Sequence, residues 1–146
     1  MKRLIIALLL IVSALGYSQA KHYICLGQTL AFDTSAHDPK NLVGATLEIG
    51  KYINTTSVGI MTGLYTYDKK DIYSEVMVTV PISPQTNFSL SAGIGWFYYR
   101  KDTTMEYDVN YAFKLNNTMS LITTLNTQTA FGTTTKSFIL SISKDF

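Results

Sequence analysis

Phe88-Ser89-Leu90-Ser91-Ala92-Gly93-Ile94-Gly95-Trp96-Phe97-Tyr98-Tyr99 is the stretch whose reading decides the fold. Phe88, Leu90, Ala92, Ile94, Trp96 and Tyr98 fall on one side of a two-residue period, and Ser89, Ser91, Gly93 and Gly95 on the other. Successive side chains of a strand point to opposite faces, so this is an extended segment with two unlike sides. Its neighbours behave the same way. Met105, Tyr107, Val109, Tyr111, Phe113 and Leu115 oppose Glu106, Asp108, Asn110 and Lys114. Phe138, Leu140, Ile142 and Phe146 oppose Ser137, Ser141, Ser143 and Asp145, while Val43, Ala45, Leu47, Ile49 and Ile53 oppose Gly44, Thr46, Glu48 and Gly50.

Eight such runs follow one another, at roughly Tyr23–Asp33, Leu42–Ile53, Ser57–Tyr67, Ile72–Ile82, Phe88–Tyr99, Met105–Leu115, Met119–Phe131 and Ser137–Phe146. Most are longer than a typical globular strand and match the 9–11 residues that a tilted strand needs to cross a bilayer. The separators are turn chemistry: Thr34–Asn41, Asn54–Thr56, Asp68–Asp71, Ser83–Asn87, Arg100–Thr104, Asn116–Thr118 and Gly132–Lys136. Short connections make sequential strands pair antiparallel, as a meander. No helical period, linker or second domain follows residue 20. The expectation is an all-β, eight-stranded antiparallel up-and-down barrel.

The first twenty residues read differently. Lys2 and Arg3 precede an apolar run from Leu4 to Leu15, and Ser18-Gln19-Ala20 supplies small residues at cleavage spacing. This predicts a cleavable signal peptide over 1–20, with cleavage after Ala20 and the barrel over 21–146; the apolar run is short for a transmembrane helix. Cys25 follows His22-Tyr23-Ile24 and lacks the small residues of a lipoprotein signal. As the single cysteine it can form no intramolecular disulfide, and its polar phase makes it a small filler of the interior. Lys2 and Arg3 carry the formal charge of +2, so the exported chain is about neutral and offers no basic surface for nucleic acid.

Alternation does not by itself say which face is outside. A soluble, lipocalin-like barrel binding an apolar ligand turns the apolar face inward, and a membrane barrel turns it outward. Three features favour the membrane. Charged residues are 15% of the chain, low for a surface in water, and collect in the connections. The polar face is mostly Ser, Thr, Gly and Asn, small enough for a narrow lumen. Aromatics lie toward strand ends, at Phe32, Phe88, Trp96, Tyr98, Tyr107, Phe113, Phe131, Phe138 and Phe146, as in interfacial girdles, with Tyr111 a mid-strand exception.

In these respects the chain resembles the small eight-stranded outer-membrane barrels, the OmpX and OmpA transmembrane-domain class. The resemblance spans the exported chain and is strongest at the C-terminus, where Phe138, Leu140, Ile142 and Phe146 share a face and the chain ends on an aromatic. It implies that Phe146 is the signal read by the barrel-assembly machinery, that the protein is an outer-membrane monomer, and that both termini face the periplasm. Lys144 departs from the pattern, which favours an apolar residue there; a lysine can snorkel to the interface.

Function is less legible. His22 and His37 belong to no ligand or triad spacing, and Ser35, His37 and Asp38 share one loop without a scaffold to set triad geometry. No catalytic, metal or cofactor site is expected, and no motif of a lipid-modifying enzyme is present. Asn54-Thr55-Thr56, Asn87-Phe88-Ser89 and Asn116-Asn117-Thr118 match sequons but are explained by turn preferences. Asp33, Glu48, Glu75, Glu106, Asp108 and Lys114 fall on the inward phase and form the expected polar plug of the lumen. Lys40, Lys69, Lys70, Arg100, Lys101 and Lys136 lie in the outer connections, where they could meet lipopolysaccharide phosphates, interspersed with Asp38, Asp68, Asp71 and Asp102. The expected role is a non-enzymatic one in envelope integrity.

Overall fold

A computed structural model describes residues 21–32, 41–66, 70–83, 85–99, 101–130 and 132–146. The expected signal peptide, Asp33, the Ser35, His37 and Asp38 loop, Lys40, Lys69, Arg100 and Phe131 lie outside the described residues. Eight strands follow in order: β1 (His22–Phe32), β2 (Asn41–Ile53), β3 (Thr56–Thr66), β4 (Lys70–Pro81), β5 (Phe88–Phe97), β6 (Asp102–Lys114), β7 (Met119–Ala130) and β8 (Thr133–Asp145). Each pairs antiparallel with its sequence neighbours, and β1 also pairs with β8, from Tyr23 opposite Asp145 to Phe32 opposite Lys136. The sheet is a closed barrel, with the start of β1 and the end of β8 at one rim, the terminal rim.

The turns explain the register. Ile53 faces Thr56 across two residues, of which Asn54 takes a left-handed conformation (φ 58°) that asparagine tolerates. Gly132, with φ 69°, serves the same purpose between Ala130 and Thr133. Asn116 closes the β6–β7 connection by accepting the amides of Thr118 and Met119 on its side-chain oxygen, both at 2.9 Å.

Two expected turns prove to be strand. Thr103 and Thr104 belong to β6, and Thr133 to Lys136 belong to β8. Threonine is β-branched and suits a ladder; the Thr129 and Thr134 hydroxyls lie 3.3 Å apart across β7 and β8. The rim opposite the terminal one therefore moves outward, and the aromatic positions shift relative to it. Tyr107 and Phe138, expected at the interface, are each sixth in thirteen-residue strands and lie mid-wall. Tyr111, expected mid-strand, lies toward the terminal rim and packs on Phe88, the first residue of β5, with ring centroids 4.8 Å apart. Phe113 and Phe146 join that rim, while Trp96 and Tyr98 mark the opposite one.

The two faces settle the inside-out question. Leu26, Ile49, Ile94 and Leu125 are exposed on the outer wall, Leu125 by 64%, whereas Glu75 and Glu106 inside are exposed by 1% and 0%. A soluble barrel has the reverse arrangement. Lys144, the departure from the C-terminal pattern, lies at the terminal rim with its ammonium 5.2 Å from the centre of the Phe146 ring, a cation–π contact. Seating this apolar wall in hydrocarbon predicts a depth-dependent penalty for charge. Leu125→Arg, in the middle of β7, is expected to lower stability in lipid vesicles by roughly 2–4 kcal/mol, with a small effect for Leu125→Ala, measured by urea unfolding. Equal stability of the two variants would contradict a lipid-facing Leu125.

Candidate functional site

The lumen holds the polar chemistry of the chain, in two unlike halves. Its apolar part is a cluster of Met61, Tyr73, Met77 and Phe97, with Ala130 packed against them; Tyr73 and Phe97 lie away from the terminal rim, while Met61 and Met77 also line the cavity on the terminal side. The Tyr73 and Phe97 rings lie 5.2 Å apart and 36° from parallel. Glycine makes this packing possible. A Cβ on Gly63 would stand 2.1 Å from the Tyr73 ring, so the strand wall there has room for the aromatic only because it carries no side chain. A barrel of eight strands has an interior just wide enough for side chains to fill, and these four pack together within it.

Toward the terminal rim the lumen opens into a cavity of about 200 Å³. Glu48 on β2 faces it from one side, Glu106 and Asp108 on β6 from the other, and Tyr52, Thr55 and Pro81 lie near its mouth. Hydroxyl and amide groups bond these acids and one another around it. Asn126 donates to Asp108 at 2.8 Å and accepts from Ser137 at 2.8 Å. Asn110 donates to Ser91 at 2.7 Å and accepts from Thr124 at 2.6 Å. The Tyr23 hydroxyl donates to Glu48 at 2.5 Å, and its ring lies 5.1 Å from that of Tyr52.

Between the two halves sits a carboxyl pair. Gln128 on β7 donates through its one amide nitrogen to Glu75 on β4 at 3.0 Å and to Glu106 at 3.2 Å. The remaining oxygens, Oε2 of Glu75 and Oε1 of Glu106, have no hydrogen-bond partner among the described residues. No Lys or Arg among the described residues lines the cavity. A carboxylate withdrawn from water costs several kcal/mol unless a partner compensates, so this lumen is electrostatically demanding.

Of the inward residues expected from the sequence, Glu48, Glu75, Glu106 and Asp108 come together here. Lys114 does not. It ends β6 at the terminal rim, where its ammonium reaches water, so the expected inward cation is absent from the cluster. Cys25 is buried on the lumen side of β1, and His22 is exposed at the rim. Among the described residues no three His, Cys, Asp or Glu side chains converge as metal ligands. Sequence reading missed Gln128 and Asn126, the amides that hold the acids, and placed Asn110 on the polar face without a partner. Their even phase on β6 and β7 was visible, but which acids they face depends on the pairing of β6 with β7 and on reach across the lumen.

The fold is that of the small eight-stranded outer-membrane barrels. Neisserial surface protein A aligns over 88% of this chain and 98% of its own at a TM-score of 0.62 and 9% identity. A de novo designed transmembrane β-barrel aligns over 85% of this chain and 95% of its own, at 0.57 and 12%. The Yersinia pestis attachment invasion locus protein Ail, in its crystal structure with the heparin analogue sucrose octasulfate, aligns over 88% of this chain and 100% of its own, at 0.56 and 14%. No protein-family profile and no curated protein sequence matches the chain.

The Gly63–Tyr73 seat yields a double-mutant test. Gly63→Val is expected to destabilise the barrel by about 1–3 kcal/mol through overpacking. In a Tyr73→Ala background the same change should cost at least 0.5 kcal/mol less, roughly the lower limit for residues in contact. Additive effects in urea unfolding would show that the two do not share that space.

Proposed function

We propose that this chain is a monomeric, non-enzymatic barrel of the outer membrane that contributes to envelope integrity, with a lumen closed to ion flow. The observation that carries this reading is the pairing of an apolar outer wall with a polar lumen inside which Met61, Tyr73, Met77 and Phe97 pack together, a packing that supports a closed lumen. The wall commits the molecule to hydrocarbon, since a closed barrel leaves no unpaired backbone edge there. Phe146, exposed on the outer phase of the terminal rim, serves as the recognition signal for the barrel-assembly machinery, and the signal peptide over 1–20 directs export. With Phe146 at the rim that enters last, both termini face the periplasm and the Trp96 and Tyr98 rim faces outward.

Expression of the full chain should place it in the outer-membrane fraction, extractable only with detergent and shifting in gel mobility on heating. A monomeric, water-soluble product without detergent would refute the membrane reading. In planar bilayers the refolded protein is expected to give no stable conductance; discrete, cation-selective steps would refute the closed lumen.

A second reading concerns the outward rim, where Lys101 and Lys136 are exposed. Lys40, Lys69, Lys70 and Arg100 lie in the sequence between or beside the strand ends of that rim, and together these cations suit lipopolysaccharide phosphates. The complex of Ail with a sulfated sugar supports polyanion contact as something this fold can carry. Replacing Lys101 and Lys136 with Gln is expected to weaken lipopolysaccharide binding, and unchanged binding would remove this reading.

A further inference from the structure

We infer that the lipid-facing side of the β2–β1–β8 seam, at the terminal rim, is a binding site for an anionic glycerophospholipid. Its phosphate is held by Lys144, His22 and Lys51, and its acyl chains lie along the apolar wall below them. The inference rests on the outer-membrane reading, because only a wall seated in a bilayer meets headgroups at this height.

Three observations converge on it. The first is the segregation of charge between the two faces of the sheet. Glu48, Glu75, Glu106, Asp108 and Asp145 all follow the inward phase of their strands, and among the described residues no acid stands on the outward phase of β7, β8, β1, β2 or β3. That phase carries cations instead, at the rim. His22 begins β1 and faces Lys51 on β2, while Lys144 near the end of β8 faces Ile24 on β1. Lys51 and Lys144 thus flank β1 from either side, two strand spacings or about 10 Å apart. Long, flexible lysine stems can close on one phosphate from such positions, with the His22 ring between them as a further donor.

The second is a missing counter-charge. Lys51 is 4% exposed, and the Lys144 ammonium is held 5.2 Å from the centre of the Phe146 ring. Asp145, adjacent to Lys144, turns inward, where the Tyr52 hydroxyl donates to it at 3.3 Å. The carboxylate at Phe146 is offset by Lys21, exposed beside His22. A covered lysine with no acid on its own face needs a counter-charge from outside the protein.

The third is the surface below. Ile24, Leu26, Ile49, Leu140 and Ile142 are exposed on the same face of the same three strands. A free anion has no use for that wall, whereas a phospholipid covers it with its acyl chains while its phosphate accepts charge-assisted hydrogen bonds above. At the opposite rim the cations are interspersed with Asp68, Asp71 and Asp102, so selectivity for an anionic phospholipid belongs to the terminal one.

The test is native mass spectrometry of the folded full chain in detergent, titrated with phosphatidylglycerol or with phosphatidylcholine of the same acyl chains. One phosphatidylglycerol is expected to bind about tenfold or more tightly than phosphatidylcholine. Lys144→Gln and Lys51→Gln should each lower that preference about fivefold, the worth of one cation beside an anionic headgroup. Lys114→Gln, at the same rim but on the inward phase of β6, should leave it unchanged. Should one of the first two variants fail to fold, the other decides. Equal affinity of the wild type for the two lipids, a preference that survives in a folded Lys144 or Lys51 variant, or an equal loss in Lys114→Gln would overturn the inference. Displacement of the lipid by inorganic phosphate at equal concentration would overturn it as well. A chain that stays soluble and monomeric without detergent would instead refute the outer-membrane reading, so the two failures are distinguishable.

Discussion

The seam between β1 and β8 is the constraint on which the rest of the structure depends. In hydrocarbon no water is present to satisfy an exposed amide or carbonyl, and each such group costs several kcal/mol. A seven-paired sheet would leave two bare edges. The run of pairs from Tyr23–Asp145 to Phe32–Lys136 removes both, and the last amide, that of Phe146, donates to the His22 carbonyl at 2.8 Å. Once the edges are closed, strand number sets the diameter, and the diameter decides what the interior can hold.

A narrow interior with an apolar exterior inverts the usual division of labour. The hydrophobic effect does not drive side chains inward, because the lipid outside is as apolar as any core. Specificity inside comes from fit and hydrogen bonding: Tyr73 laid over Gly63 and Tyr23 over Gly50, with an amide and hydroxyl network beside them. The amides are placed where acids need donors, with Gln128 shared by two carboxyl groups and Asn126 bonded to Asp108. Partial satisfaction of such a network is costly, and one oxygen each of Glu75 and Glu106, with the buried hydroxyls of Thr29 and Thr104, has no hydrogen-bond partner among the described residues.

Much of this was legible in the sequence, and the parts that were not share a physical reason. Alternation is a property of one strand, so the two faces of Phe88–Gly95 and the count of eight strands could be read directly. Strand ends could not. Threonine serves both turns and ladders, and Thr103–Thr104 and Thr133–Thr135 became strand because partners across the sheet were available. That moved Tyr107 and Phe138 to mid-wall and Tyr111 toward a rim. The inward phase of Glu48, Glu75, Glu106 and Asp108 was also readable, since phase is local. Depth along the barrel was not, and Lys114 shows it: correct in phase, it sits at the rim instead of among the acids. Which residues meet across the lumen depends on side-chain reach between strands far apart in sequence, as for Glu75 and Gln128, and no local pattern encodes it.

The central claim is that the apolar face of these strands looks into lipid. Spin labels placed singly from Leu90 to Trp96 along β5, with the protein reconstituted in bilayers, test it most directly. The account predicts collision with oxygen that is high at Leu90, Ala92, Ile94 and Trp96 and low at Ser91, Gly93 and Gly95, with little access of a water-soluble nickel complex to the first group. High nickel access at Leu90, Ala92 and Ile94, or an inverted period, would contradict it.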